Sequence, residues 1–400
     1  MRPILALAAV LIPLLSAGLL SGQTRYVNLS FGSLFTAGGA SVSGDNLLLL
    51  QGGAHDPRVN GFTVQNLELS LTGAIDPFFN GEVHLIFQIN EEGESLLEVE
   101  EAFLTTRGLP GGLQLRAGTF FTGFGRLNPQ HPHSWSYVDQ PLVNAYLLGG
   151  DGLRGPGARL SWLTPLPWYS EVTAGLQNAN GETMVSFLGE AAQRQFLGFR
   201  LHQREIDGIE DLLASGRWLN AVTVGDALSM NFGLSALRGP NRTGDTGRTS
   251  IAGVDLFAKW QPPENDNGWP FVTLQVEAMR REYYSPVLRL IYSEKTQVEW
   301  GFYGQTQWGF KRGWVLGARM DYLERFMHRL ITSGTTKLPI PVSIQYRRRW
   351  ATNLSFYPSE FSKARLQINM DDGEFLGKET VWGVWLQYEF LMGQHAGHKF

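Results

Sequence analysis

Segments in which apolar and polar side chains alternate recur from one end of the chain to the other, and that two-residue period leaves few folds open. From Val83 to Asn90, Val83, Leu85, Phe87 and Ile89 alternate with His84, Ile86, Gln88 and Asn90. Leu228 to Ser235 and Val272 to Ala278 repeat the pattern, and Trp382, Val384, Leu386, Tyr388 and Phe390 alternate with Gly383, Trp385, Gln387 and Glu389. Successive side chains of a strand point to opposite faces, so each segment is a strand with one apolar and one polar face. No 3.6-residue period of domain length competes with it. The reading yields about sixteen strands, within a range of roughly 12 to 18, running from 26–36 to 380–391.

The connections sort by parity. One alternate set is short: 74–79, 107–111, 165–167, 225–227, 261–269, 308–312 and 358–361. The other is mostly long and includes 37–61, 121–155, 179–214 and 324–348. The averages are about 5 and about 20 residues, the asymmetry of a barrel with short periplasmic turns and long extracellular loops. A soluble sandwich has no reason to sort its connections this way. The fold class expected is all-β, a transmembrane antiparallel up-and-down β-barrel. Aromatic pairs flank the short turns (Trp162 and Trp168, Trp260 and Trp269, Trp308 and Trp314, Tyr357 and Phe361), as an interfacial girdle requires.

Residues 1–22 carry Arg2, an apolar run from Ile4 to Leu15 and small residues after it, which is a secretory signal pattern cleaved between Gly18 and Gln23. Residues 23–400 then form a single barrel domain. With no cysteine, neither a disulfide scaffold nor a lipoprotein anchor is available. A net charge of -4 gives no footprint for nucleic acid. The expected surroundings are a Gram-negative outer membrane, with lipid and lipopolysaccharide outside the barrel. A terminal aromatic, Phe400, fits recognition by the barrel assembly machinery.

If the apolar face meets lipid, the other face lines the interior. The pore-lining set is then Glu82, His84, Glu100, Arg116, Arg159, Glu171, Asp255, Glu277, Glu299, Arg319, Asp321, Arg349, Arg365 and Glu389, with Glu68 beside them. Such charges are costly without water, so the expectation is a wet lumen, unless a loop closes it. The spacer 121–155, containing Phe124, Arg126, His131, His133, Trp135 and Asp139, is too apolar for a solvated tip and is expected to fold into the lumen as a constriction. His131 with His133, and His395 with His398, have ligand-like spacings. They are weak candidates for zinc, each needing a carboxylate such as Asp139 or Asp151. No other cofactor is expected. Catalysis is not expected either: neither a G-x-S-x-G elbow nor an H-E-x-x-H helix is present.

The run Leu115-Arg116-Ala117-Gly118-Thr119-Phe120 followed by Phe124-Gly125 resembles the fifth strand and constriction loop of phosphate-selective porins. A longer pattern comprises Leu127-Asn128, His131-Pro132-His133, Asp139-Gln140-Pro141-Leu142, Pro358-Ser359-Glu360-Phe361 and the terminal His395 and Gly397-His398-Lys399-Phe400. It resembles a group of outer-membrane barrels labelled zinc-regulated TonB-dependent receptors. The first likeness implies a porin-type channel for passive diffusion of small hydrophilic solutes or ions, an architecture that commonly assembles as a homotrimer. The second implies a receptor barrel for a metal or its chelate, here without a plug because the first strand follows the export segment so closely. A soluble secreted β protein is the third reading.

Overall fold

The computed structural model describes residues 27–89, 95–197, 199–286, 296–333, 336–372 and 380–393, with the backbone alone over 325–345. The signal pattern at 1–22, His395, His398 and Phe400 lie outside the described residues. Sixteen strands pair in sequence order, antiparallel throughout, and close on themselves. They are β1 (Val27–Ala40), β2 (Gly61–Ala74), β3 (Phe79–Ile89), β4 (Ser95–Thr106), β5 (Leu113–Phe121), β6 (Arg154–Leu163), β7 (Tyr169–Asn178) and β8 (Leu212–Val224). The second half holds β9 (Leu228–Pro240), β10 (Arg248–Trp260), β11 (Phe271–Tyr284), β12 (Thr296–Lys311), β13 (Trp314–Ser333), β14 (Thr336–Ser359), β15 (Ser362–Asp372) and β16 (Thr380–Gly393). Closure runs through β1 and β16, from Ser30 opposite Gly393 to Ala40 opposite Gly383. A closed sheet leaves no edge of unpaired backbone groups, the condition for strands to cross hydrocarbon.

Alternation decides the two faces. Along β16, Trp382, Val384, Leu386 and Tyr388 are exposed on the outside, whereas Val381, Trp385, Gln387 and Glu389 are buried inside. Leu354, Leu366 and Leu386 sit side by side on β14, β15 and β16 and form one apolar row across the outer surface.

The short turns gather at one rim, where Trp162, Trp168, Trp260 and Trp308 stand exposed. Trp269 departs from the girdle expected of it. It is buried with Phe271 and Val315, and Tyr357 packs on them, so these side chains form one cluster near that rim. A second difference concerns 324–348, expected as a loop. The backbone stays paired through Ser333 and Thr336, so β13 and β14 project as a two-stranded ribbon.

Among the register irregularities, β-bulges on β2 and β4 reset the alternation locally. On β2, Asn66 pairs with Leu34 but Val64 pairs with Phe35, leaving Gln65 as the extra residue. On β4, Glu101 pairs with His84 and Val99 with Leu85, which leaves Glu100 as the extra residue. A bulge lets two consecutive side chains share a face. Accordingly Gln65 and Asn66 are both buried, as are Glu100 and Glu101.

Candidate functional site

The segment between β5 and β6 enters the barrel and is bolted to the opposite wall. Its short helix α2 (Leu142–Leu147) buries Leu142, Val143 and Leu147 among Leu213, Ile251, Met279 and Leu323 of the strands. Polar clamps flank this apolar contact. The Asp139 carboxylate accepts from Arg319 Nη2 at 2.7 Å, Arg349 Nη1 at 2.9 Å and Gln367 Nε2 at 2.9 Å. Asp321 on β13 accepts the Leu142 N–H at 3.1 Å, and Glu277 on β11 accepts the Leu127 N–H at 2.7 Å. Tyr146 donates to Glu299 at 2.8 Å, and Arg365 Nη2 donates to the Trp135 carbonyl at 3.1 Å. Backbone donors and acceptors of an irregular loop need partners when buried, and here the wall supplies them.

The loop at 41–60 packs over this one. Its helix α1 (Asp45–Leu50) buries Leu47 and Leu50 against Val138, Val381 and Trp385. Asp56 accepts N–H groups from Gly53 and Gln140, both at 2.8 Å. Burial first, then the nearby Asp139, push the Asp56 carboxyl up to about 6, with those N–H donors and Arg349 opposing. A carboxyl whose folded value is raised contributes stability below its ordinary range, and that contribution is lost as pH rises through the folded value. Docking of the 41–60 loop should therefore weaken between pH 5 and pH 7.5, read as faster proteolytic cutting of that loop at the higher pH; Asp56→Asn should remove the dependence.

On the other side, between loop and wall, lies a cavity of about 320 Å³ lined by Glu68, Glu82, His84, Glu101, Phe103, Arg116, Phe121, Pro129, His131, His133 and Arg159. The two loop histidines face the carboxylates of β2 and β4. Nδ1 of His131 is 2.8 Å from Glu100 Oε2 and 3.3 Å from Glu68 Oε2, and its Nε2 is 3.0 Å from Glu101 Oε2. His133 Nδ1 lies 3.1 Å from Glu68 Oε2, and His84 Nδ1 lies 3.1 Å from Glu68 Oε1. Burial opposes charging of His131, but Glu100 and Glu68 outweigh it and hold the imidazole well above its ordinary range. Arg116 lies over the Phe103 ring at 3.9 Å, and Arg159 faces the Phe120 ring at 5.8 Å.

The structure thus divides the residues expected to line water. Glu82, His84, Arg116 and Arg159 border the cavity, and Glu171 on β7 is half-buried, hydrogen-bonded to Tyr169. Glu100, Asp255, Glu277, Glu299, Arg319, Asp321, Arg349, Arg365 and Glu389 do not line a water column: none is more than 3% exposed. Arg349 also donates to Asp371 at 2.8 Å, Arg281 pairs with Glu299, and Lys363 lies 2.6 Å from Glu389. Asp255 accepts from Arg217 at 2.7 Å. These charges bond to one another and to the loop. Acids and bases of the inner face thus stand here as partners of one another.

Among the constriction residues, Phe124 is buried in the apolar cluster, Arg126 lies over Phe257 at 3.7 Å, and Trp135 donates to the Gln130 carbonyl. The carboxylates near the histidines are not those expected. Asp139 is taken by arginines, and Asp151 lies 3.5 Å from His55. Glu68, Glu100 and Glu101 stand there instead. Glu101 is invisible to a two-residue period, which turns it outward; the adjacent pair Glu100-Glu101 is the one trace of the bulge.

No protein-family model matches the chain. The solved outer-membrane channel DcaP of Acinetobacter baumannii aligns over 94% of this chain and 100% of that one, with a TM-score of 0.54 and 13% identity. OprB of Pseudomonas putida aligns over 92% and 94%, with a TM-score of 0.56 and 10% identity. OmpT of Vibrio cholerae, in a trimer form, aligns over 92% and 100%, with a TM-score of 0.53 and 8% identity. An uncharacterized protein of Aquifex aeolicus (strain VF5) is 32% identical over 359 residues, 85% of this chain and 70% of that protein. The chain belongs to the family of that Aquifex aeolicus protein, and its sixteen-stranded barrel has the fold of the outer-membrane porins.

Proposed function

We propose that this barrel sits in an outer membrane and passes small hydrophilic solutes or ions by diffusion, with no catalytic step. The observation that carries the reading is the cavity beside the inserted loop. It is lined by Glu82 of β3, Glu101 of β4, Arg116 of β5 and Arg159 of β6, on neighbouring strands of one wall, while the rest of the loop is fastened to the far wall. Charged side chains of both signs lining a constriction select by charge and bind weakly enough to release. Purified full-length protein reconstituted in planar bilayers is expected to give stepwise, ohmic conductance. Silence at all voltages would overturn the proposal and leave a receptor barrel.

Membrane residence has its own test. Arginine at the bilayer midplane of a barrel costs about 2–4 kcal/mol. Leu366→Arg, in the middle of the apolar row, should destabilise the folded barrel by about that amount in lipid vesicles. The signal is a lower urea midpoint and loss of the heat-modifiable band. Unchanged stability would mean that this face does not meet hydrocarbon. A homotrimer belongs to the same reading, since OmpT of Vibrio cholerae is solved in a trimer form; light scattering of the detergent-solubilised protein measures it.

A further inference from the structure

We propose that Glu68 of β2, His84 of β3 and His131 of the inserted loop, with Glu100 alongside, bind a divalent transition-metal ion of the zinc class, and that the ion fastens the loop to the wall beside the cavity. One ligand atom from each of Glu68, His84 and His131 lies within 4.8 Å of the others. Tetrahedral zinc with bonds of about 2.0–2.2 Å places its ligand atoms roughly 3.4 Å apart. The separations of 3.1 Å from His84 Nδ1 to Glu68 Oε1 and 3.3 Å from His131 Nδ1 to Glu68 Oε2 are close to that edge, each histidine meeting a different oxygen of the carboxylate.

The second line of evidence is how these groups meet. Glu100 is 1% exposed, and its Oε2 and the His131 Nδ1 have no hydrogen-bond alignment with any partner although they stand 2.8 Å apart. The two atoms stand in ion-pair range but poorly aligned for a hydrogen bond, side by side as neighbouring ligands of one ion would be. The ring is also oriented from behind: His131 Nε2 faces Glu101 Oε2 at 3.0 Å, and Glu101 accepts the Phe121 N–H at 2.9 Å through its other oxygen. A carboxylate behind a histidine, fixing tautomer and ring direction, is the usual support of a metal-binding imidazole. The bulge at Glu100 makes this possible, because it turns one carboxylate toward the ion and the next toward the back of the ring. Ser70 donates to Glu68 at 2.8 Å and holds the shared carboxylate.

Two imidazoles with carboxylates favour Zn²⁺ or Co²⁺ over Mg²⁺ or Ca²⁺, which demand more oxygen ligands. Binding does not depend on conduction; any effect of the ion on current rests on the channel proposed above.

The test titrates Co²⁺ into the refolded full chain in detergent, followed by its visible absorption and by Zn²⁺ displacement. The expected result is one Co²⁺ per chain with the intense bands of a four-coordinate nitrogen and oxygen site, displaced by Zn²⁺. His131→Asn should weaken binding by roughly 100-fold, and Glu101→Gln, which only orients the ring, by roughly tenfold. His202→Asn should leave it unchanged. A wild-type spectrum like that of the hydrated ion overturns the proposal whatever the variants do. So does binding that survives His131→Asn with His84→Asn and disappears with His395→Asn and His398→Asn.

Discussion

Asp139→Ala should unfasten the inserted loop, widen the passage and cost about 3–5 kcal/mol of barrel stability, the range found when one partner of a buried ion pair is removed. Asp139 sits where three strands converge: Arg319 on β13, Arg349 on β14, and Gln367 and Asn369 on β15 all donate to its two oxygens. Alanine leaves two guanidinium groups buried with one fewer anion. Asp321 and Asp371 still hold Arg319 and Arg349 at 2.8 Å, so the strands keep pairing and the loss falls on the loop. The expected readouts are a larger single-channel current, a lower urea midpoint and new proteolytic sites within 122–153. Asp139→Asn keeps the acceptor and loses the charge, and should lie between wild type and alanine. Wild-type current together with a protected loop in Asp139→Ala would show that the clamp does not set the passage.

This clamp also marks the limit of what the sequence discloses. The strands, their two faces and the alternation of short and long connections are consequences of the two-residue period, which acts between neighbours and is visible in any window of the chain. Loop 121–155 stands out because Phe124, Trp135, Leu142 and Val143 are too apolar for a solvated tip. Its anchors are different: Asp139 and Arg349 are 210 residues apart in the chain, and nothing local in Arg319 or Arg349 distinguishes a charge facing water from one facing a carboxylate. A polar inner face is therefore legible as polar, but not as wet or dry. Glu101 fails for another reason. The bulge breaks the period on which the reading depends, so the residue behind His131 is assigned to the outer face. The paired ribbon at 324–348 is missed because its strands continue beyond the segments where alternation is regular.

The largest functional effect is expected at the cavity wall. Arg116 on β5 and Arg159 on β6 bring two positive charges to the cavity beside Glu82, Glu101 and the histidines. Glu68, Glu100 and Glu101 already share close contacts with His131 and His133, so in the channel proposed above Arg116 and Arg159 are two cations that an entering solute would meet on that wall. A unit charge about 8 Å from an ion's path in water-like surroundings is worth roughly 0.5 kcal/mol. Arg116→Gln with Arg159→Gln removes two of them. The barrier for a cation falls by about 1 kcal/mol and that for an anion rises by about as much, a change of roughly thirtyfold in the cation-to-anion ratio before screening. At 0.1 M salt the screening length is about 10 Å, so roughly a tenfold change should survive in reversal-potential measurements. At 1 M salt it is about 3 Å, and most of the difference should vanish. Both glutamines keep the side chains polar, so barrel stability should move little. A ratio that stays at the wild-type value in 0.1 M salt would place the passage elsewhere in the lumen, and with it would go the assignment of Glu82, Glu101, Arg116 and Arg159 as the groups that solutes meet.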